Sequence, residues 1–445
     1  NHALYMVAGL GKTGLSIARY LHRNKKPFIV FDTRQEAPGL TEFKKEFPNT
    51  PIYLHDVPND IINQLTDVIT SPGVSLDIPL LIQARRAGAD IYGDIECLAR
   101  EIKEPVIAIT GTNGKSTVTT LVGEMAKNAG LKVAVAGNIG TPVLDMLVDD
   151  RHYDLWVLEL SSFQLDLTYS LTPAVATILN ITPDHLDRHH TLDAYIAAKQ
   201  RIYHQAKVAL YNREDAYTMP TPQEKPSHTL SFGSTNPTSG DWGLMTQGSS
   251  IYLAKGSQAI VPVDALLIKG VHNWLNALAA CALADCAGIK IEHIVSALKL
   301  FPGLSHRCQW VRTIDKVDWI NDSKGTNIGA TMSAINGIGG SMQGKIVLIA
   351  GGQGKGADFH ELAQPIADFV RSIVLIGEDA DKIEEALADI VPLDRASSLE
   401  DAIIRAKNQA KPGDVVLLSP ACASLDMFRD FNHRGDVFAS FVNGI

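Results

Sequence analysis

Short apolar runs rich in Val and Ile recur along the chain, separated by stretches in which apolar residues return every three or four positions. The runs predict strands buried on both faces, and the longer spacing predicts amphipathic helices. Their alternation predicts parallel α/β sheets. Residues 4–8, 28–31 and 67–70 give strands of a first sheet, with a helix through Leu15 to Leu21 after the first. Residues 106–110, 133–136, 155–160 and 174–179 give a second series, and 345–350, 372–376 and 414–418 a third. Tyr195 to Tyr203 reads as a helix. Asn273 reads as the N-cap of an apolar helix that follows Gly270. Residues 218–240, rich in Pro, Ser, Thr and Gly, read as loops between short strands such as 250–254. Residues 301–307 read as a linker carrying His306 and Arg307, the kind of segment that lets domains close over a ligand.

Glycines mark the strand ends. Residues 106–110 run into Gly111-Thr112-Asn113-Gly114-Lys115-Ser116-Thr117, after which Val118, Leu121, Val122, Met125 and Ala126 keep helical spacing until Gly130. Strand, glycine turn, Lys-Ser and helix make a phosphate cradle. Gly111 and Gly114 let backbone N–H groups approach an anion. Lys115 reaches the outer phosphates, and the Ser116 hydroxyl is a Mg²⁺ ligand. The loop departs from G-x-x-x-x-G-K-[ST], because Ile109 stands where the first glycine belongs. An ordinary tight turn would not require the lysine and serine. Gly9-Leu-Gly11-Lys12-Thr13-Gly14 is a G-x-G-x-x-G fingerprint, and the next strand ends in Asp32-Thr33-Arg34. Asp32 suits ribose hydroxyls and Arg34 a phosphate or uracil edge, which leaves the nucleotide open. The expected fold is α/β in three domains: a Rossmann-like domain over residues 1–94, a central P-loop ATPase-like domain over 95–302, and a second Rossmann-like domain over 303–445.

Other strand ends carry polar groups. Ser71-Pro-Gly73 follows the third strand, and Gly137-Asn138-Ile-Gly140 follows residues 133–136. Glu159 ends a buried strand beside the phosphate loop, where a Mg²⁺ ligand is wanted. Asn180 to His189 packs many potential ligands after an apolar strand and reads as an active-site loop. Within it His185 alone could be structural, and Asp187 with Arg188 could be a local ion pair of little worth. Helical spacing makes Lys199 a solvated lysine. Asn276 sits where an amide could reach a purine edge. Lys324, Lys355 and Ser424 lie on loops of the third series and suit small anions such as carboxylates.

Composition narrows the partners. The 445 residues carry a net charge of −9, which gives a nucleic-acid partner no electrostatic support. No apolar run is long enough to span a bilayer, and no signal peptide is recognised. The 5 cysteines are scattered and lack metal-ligand spacing, so they read as reduced cytoplasmic thiols.

Together the motifs resemble the Mur ligases of bacterial cell-wall synthesis. Thr110-Gly-Thr-Asn-Gly-Lys115-Ser116 looks like that superfamily's ATP loop, which folylpolyglutamate synthases share. Ser71-Pro-Gly73, Gly137-Asn-Ile-Gly140, Glu159-Leu-Ser-Ser-Phe-Gln164, Asp184-His-Leu-Asp-Arg188, Asn321-Asp-Ser-Lys324 and Ser419-Pro-Ala-Cys-Ala-Ser-Leu-Asp426 look like the branch that adds D-glutamate. Gly325, where the family often has alanine, and Gln353 are departures that remove no functional side chain. The resemblance implies that the first domain holds a UDP-sugar through Lys12, Thr13, Asp32, Thr33, Arg34 and Gly73, with Asn138 nearby. It implies ATP at Gly111 to Thr117, Asn273, Asn276, Arg307, Asp322 and Lys324. It implies a pair of Mg²⁺ ions at Ser116, Glu159, His185 and a Lys199 carbamylated by CO₂. D-glutamate would be held by Thr326, Lys355, Ser424, Leu425 and Phe431. Lys115, Glu159, His185 and Lys199 would carry the catalysis.

The implied activity is ATP-dependent amide formation between UDP-N-acetylmuramoyl-L-alanine and D-glutamate through an acyl phosphate and a tetrahedral intermediate. It implies a cytoplasmic, monomeric enzyme of peptidoglycan precursor synthesis. Another Mur or folate-type ligase would differ in the third-domain site. A nicotinamide-dependent oxidoreductase built on Gly9 to Asp32 would leave the phosphate loop unexplained. A non-catalytic nucleotide switch would leave Lys115, Glu159, His185 and Lys199 without a joint purpose.

Overall fold

The structure, a computed structural model of the protein, describes residues 2–147, 151–182, 186–340 and 342–445. The chain forms two compact units, residues 1–231 with 280–294 and residues 232–279 with 295–445.

The first unit opens with five parallel strands, β1 (Tyr5–Ala8), β2 (Phe28–Asp32), β3 (Ile52–Leu54), β4 (Asp67–Thr70) and β5 (Asp90–Tyr92), in the order β3-β2-β1-β4-β5. Helix Lys12–Arg23, after β1, buries Leu15, Ile17, Ala18 and Leu21 on one face of this sheet. Helix Pro79–Arg86, after β4, buries Leu81 and Ala84 in the cluster on the other face. The order therefore reverses between β1 and β4, and a crevice opens at their carboxyl ends. Gly9 to Gly11 and Ser71 to Gly73 flank it, tied by a 2.8 Å bond from Ser71 N–H to the Ala8 carbonyl.

A second sheet follows, with β6 (Val106–Thr110), β7 (Val133–Gly137), β8 (Leu155–Glu159), β9 (Val175–Ile178), β10 (Val208–Asn212) and β11 (His228–Phe232) in the order β11-β10-β9-β6-β8-β7. The run from β10 to β7 is parallel. Central β6 is buried throughout and leads into helix Lys115–Asn128. One apolar cluster spans both sheets, joining Leu15, Ile17 and Leu98 with Val106, Trp156 and Tyr203.

The second unit contains the antiparallel strands β12 (Trp242–Gln247), β13 (Ser250–Lys255) and β14 (Gln258–Pro262). It also holds a six-stranded sheet of β15 (Gln309–Ile314), β16 (Val317–Asn321), β17 (Ile346–Gly351), β18 (Val370–Ile376), β19 (Leu393–Arg395) and β20 (Val415–Leu418). The order is β15-β16-β20-β17-β18-β19, antiparallel only at β15. Helix Ile328–Gly339, after β16, buries Ala334, Ile335 and Ile338 on one face. Helix Phe431–Asn443, after β20, buries Phe438 and Val442 on the other. The connections around β20 thus leave in opposite directions, which makes a second switch-point crevice.

Two expectations need correction. Residues 218–240 are not all loop, because His228 to Phe232 forms β11, with Ser231 and Phe232 buried. Asn273 is not an N-cap, because the helix Val271–Cys286 begins before it. Its amide instead donates to the Lys269 carbonyl at 3.0 Å.

Gly14 tests the packing of the first crevice. A Cβ there would lie 1.9 Å from the Gly9 carbonyl oxygen. Alanine would gain about 1 kcal/mol of helix propensity, but the clash with backbone costs roughly 1–3 kcal/mol or more. Gly14→Ala should therefore lower the unfolding midpoint in a denaturant titration, and an unchanged or raised midpoint would refute the close approach.

Candidate active site

The loop after β6 is shaped by two glycines. Gly111 has φ +149° and Gly114 +87°, both in the region that favours glycine. A Cβ on Gly111 would sit 3.1–3.3 Å from Leu179 and the Asn180 nitrogen. The neighbouring β9 loop clamps the turn. Asn180 Oδ1 accepts from Asn113 N–H at 2.8 Å, and its amide donates back to the Asn113 carbonyl at 2.9 Å. Thr112 Oγ1 bonds the Thr182 carbonyl at 3.1 Å and the Tyr195 hydroxyl at 3.0 Å. Helix Lys115–Asn128 has no acid in its first turn, so its N-terminal partial charge stands unopposed by its own sequence. Thr117 is buried in that turn.

Charged and hydroxyl groups converge here. Lys115 Nζ folds back onto the Gly111 carbonyl at 2.7 Å and lies 3.3 Å from that of Thr112. Ser116 Oγ donates to Glu159 Oε2 at 2.9 Å, with both side chains buried. The register Ile109↔Glu159 sets this contact by ending β8 alongside β6. Lys199 is 2 % exposed, so its reading as a solvated lysine is overturned. Its Nζ donates to Thr110 Oγ1 at 3.1 Å and the Gly111 carbonyl at 3.0 Å, and lies 5.0 Å from the centre of the Tyr195 ring. Helix Leu192–Gln200 brings Tyr195 and Lys199 to one face by their four-residue spacing. His185 lies outside the described residues, as do Pro183 and Asp184.

The same unit carries the proposed sugar-nucleotide residues. Lys12 Nζ donates to the Gly140 carbonyl at 3.1 Å, and Asn138 N–H to the Glu159 carbonyl at 2.7 Å. These bonds draw the β1 and β7 loops toward the phosphate loop. Asp32 is buried and accepts four bonds, from Leu10 N–H, Arg34 N–H, Arg34 Nε and Arg34 Nη2, at 2.7–3.0 Å. Its lone-pair directions are thereby filled. Burial raises its pKa, but the Arg34 guanidinium and the two backbone donors outweigh that and hold it below the usual value. Thr33 and Gly73 are exposed on the crevice loops, and Thr13 is half-buried.

Arg188 has partners beyond its own loop, while the side chain of Asp187 lies outside the described residues. The Arg188 guanidinium reaches the carbonyls of Pro72, Gly73 and Val74 at 3.1–3.4 Å and lies 4.3 Å from the centre of the Phe163 ring. His189 stacks on that ring at 5.0 Å and bonds Ser162 Oγ at 2.8 Å. Sequence spacing carried no signal for this stack. A signal for Asn180 did exist, since a buried strand ended in a turn-forming amide.

In the second unit, the loops around β20 meet. Ala421 N–H donates to the Gly325 carbonyl at 2.8 Å, Gln353 and Ala423 exchange backbone bonds, and Gly351 N–H reaches the Pro420 carbonyl at 3.0 Å. The segments bearing Lys324 and Thr326, Lys355, and Ser424 and Leu425 are thus joined at one sheet end. Ser424 is buried and Leu425 is 63 % exposed. Lys324 Nζ stands 4.4 Å from the centre of the Phe431 ring. Asp322 is buried, accepting from Ser419 Oγ at 2.7 Å and Cys308 N–H at 3.1 Å. Burial raises its pKa to about 6, against those donors and Arg307. Glycine at 325 fits this pair, because a Cβ would lie 2.6 Å from Asp322 Oδ2 and Ser419 Oγ. Asn273 and Asn276 belong to this unit as well.

The family description "Mur ligase, MurD-like, N-terminal domain" matches residues 3–93, "Mur ligase middle domain" residues 109–284, and "Mur ligase, glutamate ligase domain" residues 306–422. A curated UDP-N-acetylmuramoylalanine--D-glutamate ligase of Legionella pneumophila is 74 % identical over 100 % of both chains. The protein of that name from Pseudomonas aeruginosa is 47 % identical over 98 % of this chain and 97 % of its own. Among solved structures, a pseudomurein peptide ligase type C from Methanothermus fervidus aligns over 100 % of both chains with TM-score 0.61 and 18 % identity. UDP-N-acetylmuramate-alanine ligase from Thermotoga maritima aligns over 100 % of both with TM-score 0.56 and 18 % identity. At such identities the structures establish the fold alone.

Asp322 gives this site a pH signature. Its folded pKa lies above the unfolded value, so its contribution to stability is greatest below about pH 4 and is lost as pH rises to about 6. Asp322→Asn removes that dependence. Between pH 4 and 7 the variant should gain on the wild type by up to about 3 kcal/mol in chemical unfolding. A difference independent of pH would show that the carboxyl titrates normally.

Proposed function

The chain belongs to the Mur ligase family, and from that membership we propose that it joins D-glutamate to UDP-N-acetylmuramoyl-L-alanine in an ATP-dependent step of peptidoglycan precursor synthesis. The observation that carries the choice of amino acid is the 74 % identity, over the full length of both chains, with a curated D-glutamate ligase. The geometry supplies the chemistry. A carboxylate is a poor electrophile at neutral pH, so an oxygen of the alanine carboxylate first attacks the γ-phosphorus of ATP, forming the acyl phosphate as the bond to the β–γ bridging oxygen breaks and ADP leaves. The D-glutamate amine then attacks the acyl carbon, and phosphate departs from the tetrahedral intermediate. Bringing two anions together is the main barrier. Gly111 to Thr117 offers backbone donors, the helix terminus and Lys115 against that charge, and holds the phosphate in line. The amine proton goes to His185 or a phosphate oxygen.

Ser116 and Glu159 present hard oxygen atoms side by side at the foot of the phosphate loop, which suits Mg²⁺. Among the described residues no three His, Cys, Asp or Glu side chains converge, but Mg²⁺ takes one or two protein oxygens and completes its shell with water and phosphate. We assign one ion to Ser116 and Glu159, and a second to His185 and carbamylated Lys199; when bound they would neutralise developing phosphate charge. Burial of Lys199 in the wall of the phosphate loop supports the carbamate, since a modified amine there would present a carboxylate to the nucleotide. Lys12, Thr13, Asp32, Thr33, Arg34, Gly73 and Asn138 take the UDP-sugar. Because Arg34 fills Asp32, ribose reaches that carboxylate only when Arg34 swings toward the ligand. Asn273, Asn276, Arg307, Asp322 and Lys324 serve ATP, and Thr326, Lys355, Ser424, Leu425 and Phe431 serve D-glutamate. We place domain boundaries near residues 94 and 302, and the enzyme in the cytoplasm as a monomer. No described helix is long and apolar enough to cross a membrane.

Phosphate release from ATP should require UDP-N-acetylmuramoyl-L-alanine and D-glutamate, and should not occur with L-glutamate, meso-diaminopimelate or L-lysine. Release with another of these moves the protein to a sister activity, and release with none removes the ligase reading. Lys115→Ala should lower kcat by roughly 10²–10³ while leaving UDP-sugar binding intact. With ¹³C-bicarbonate, wild-type protein should give a carbamate carbon signal that Lys199→Ala lacks; its absence from both removes the modification.

A further inference from the structure

Helix Phe431–Asn443 is capped by Asp430, whose side chain accepts from His433 N–H at 2.8 Å. Arg434, one turn in, is 1 % exposed. Its Nε donates to Ser323 Oγ at 2.9 Å, Nη2 to the Ser323 carbonyl at 2.6 Å and Nη1 to the Cys422 carbonyl at 3.1 Å. Ser323 Oγ in turn donates a hydrogen bond to the Phe431 carbonyl at 2.7 Å. All of these partners are neutral oxygens. Burial lowers the guanidinium pKa to about 10, which leaves it charged at neutral pH.

A cation removed from water with no carboxylate among its hydrogen-bond partners is costly, although Asp426 and Asp322 lie near enough to offset part of that cost, and an apolar side chain of similar volume often fills such a space at no greater cost. Packing alone therefore does not account for Arg434. Its contacts supply the account. Ser323 precedes Lys324 and Thr326, Cys422 precedes Ser424 and Leu425, and Phe431 begins the helix. One side chain thus grips every segment assigned to the amino acid except that of Lys355.

We propose that Arg434 is a positioning residue for the amino-acid acceptor: its fork joins the Ser323 and Cys422 loops, and its charge, bonded to no carboxylate, lies behind the crevice that receives the acceptor's two carboxylates. This rests on the D-glutamate site assigned above. The guanidinium does not touch the acceptor; it acts through Ser323, Cys422 and the Phe431 turn, and through the field it leaves in a low-dielectric place.

The fork and the charge separate by substitution. Arg434→Lys keeps the charge and loses the fork, while Arg434→Gln loses the charge and most donors. KM for D-glutamate should rise roughly tenfold in the lysine variant and about a hundredfold in the glutamine variant, with KM for UDP-N-acetylmuramoyl-L-alanine changed less than about twofold and KM for ATP, whose assigned residues Asp322 and Lys324 flank Ser323, raised several-fold less than that for D-glutamate. A purely structural arginine would move all three constants together or lower kcat alone. Either result, or an unchanged KM for D-glutamate in both variants, overturns the proposal. So does loss of the folded state in both, read by circular dichroism. Wild-type protein run in parallel separates the two claims: if it turns over no D-glutamate, the acceptor assignment fails before Arg434 is tested.

Discussion

A hydroxyl and a carboxylate share one proton at the heart of this molecule. The 2.9 Å bond from Ser116 to Glu159 is sealed from water, and much of the first unit is arranged to allow it. β8 must lie beside β6 in parallel, in the register that sets Glu159 against Ile109. The turn after β6 must bring the chain round with no side chain at Gly111, because the β9 loop occupies that space. Buried polar groups are tolerated only when their partners are in place. The clamp of Asn180 on Asn113 and of Tyr195 on Thr112 provides that order without any ligand.

The two Rossmann-like sheets solve a related problem by the same topology and different means. Each places loops from neighbouring strands at a reversal of strand order, where backbone can surround a ligand. In the first, polarity is stored in a closed pair, with Asp32 saturated by Arg34 and the β1 loop. In the second, opposite charges are buried without a direct ion pair: Asp322 is costly to ionise, and the hydrogen bonds of Arg434 go to neutral oxygens while Asp322 and Asp426 act on it only through space.

Much of this was legible in the linear pattern. The central strands that lead into the glycine loops are buried and so appear as unbroken apolar runs, and the glycines that end them mark the turns. β3, β5 and β19, each 3 residues long, lie at sheet edges and are too short to show a period. Lys199 was misjudged because helical position gives exposure only when the packing partner is known; here the partner is the phosphate loop, far away in sequence. Arg188 and Arg434 were invisible for the same reason. Their meaning lies in backbone carbonyls, which every residue possesses and no motif records. Asn273 was read as a cap because its residue type suits one, yet the helix had already begun.

The apolar cluster shared by the two sheets of the first unit has a consequence for how the chain can be cut. Leu15 and Ile17 belong to the same continuous interior as Val106 and Trp156, and Arg188 fastens residues 72–74 to the Phe163 turn. The interior of the first sheet is therefore continuous with that of the second. Replacing either sheet alone would strip apolar cover from the other, whereas the loops at the ends of either sheet can change without disturbing that interior.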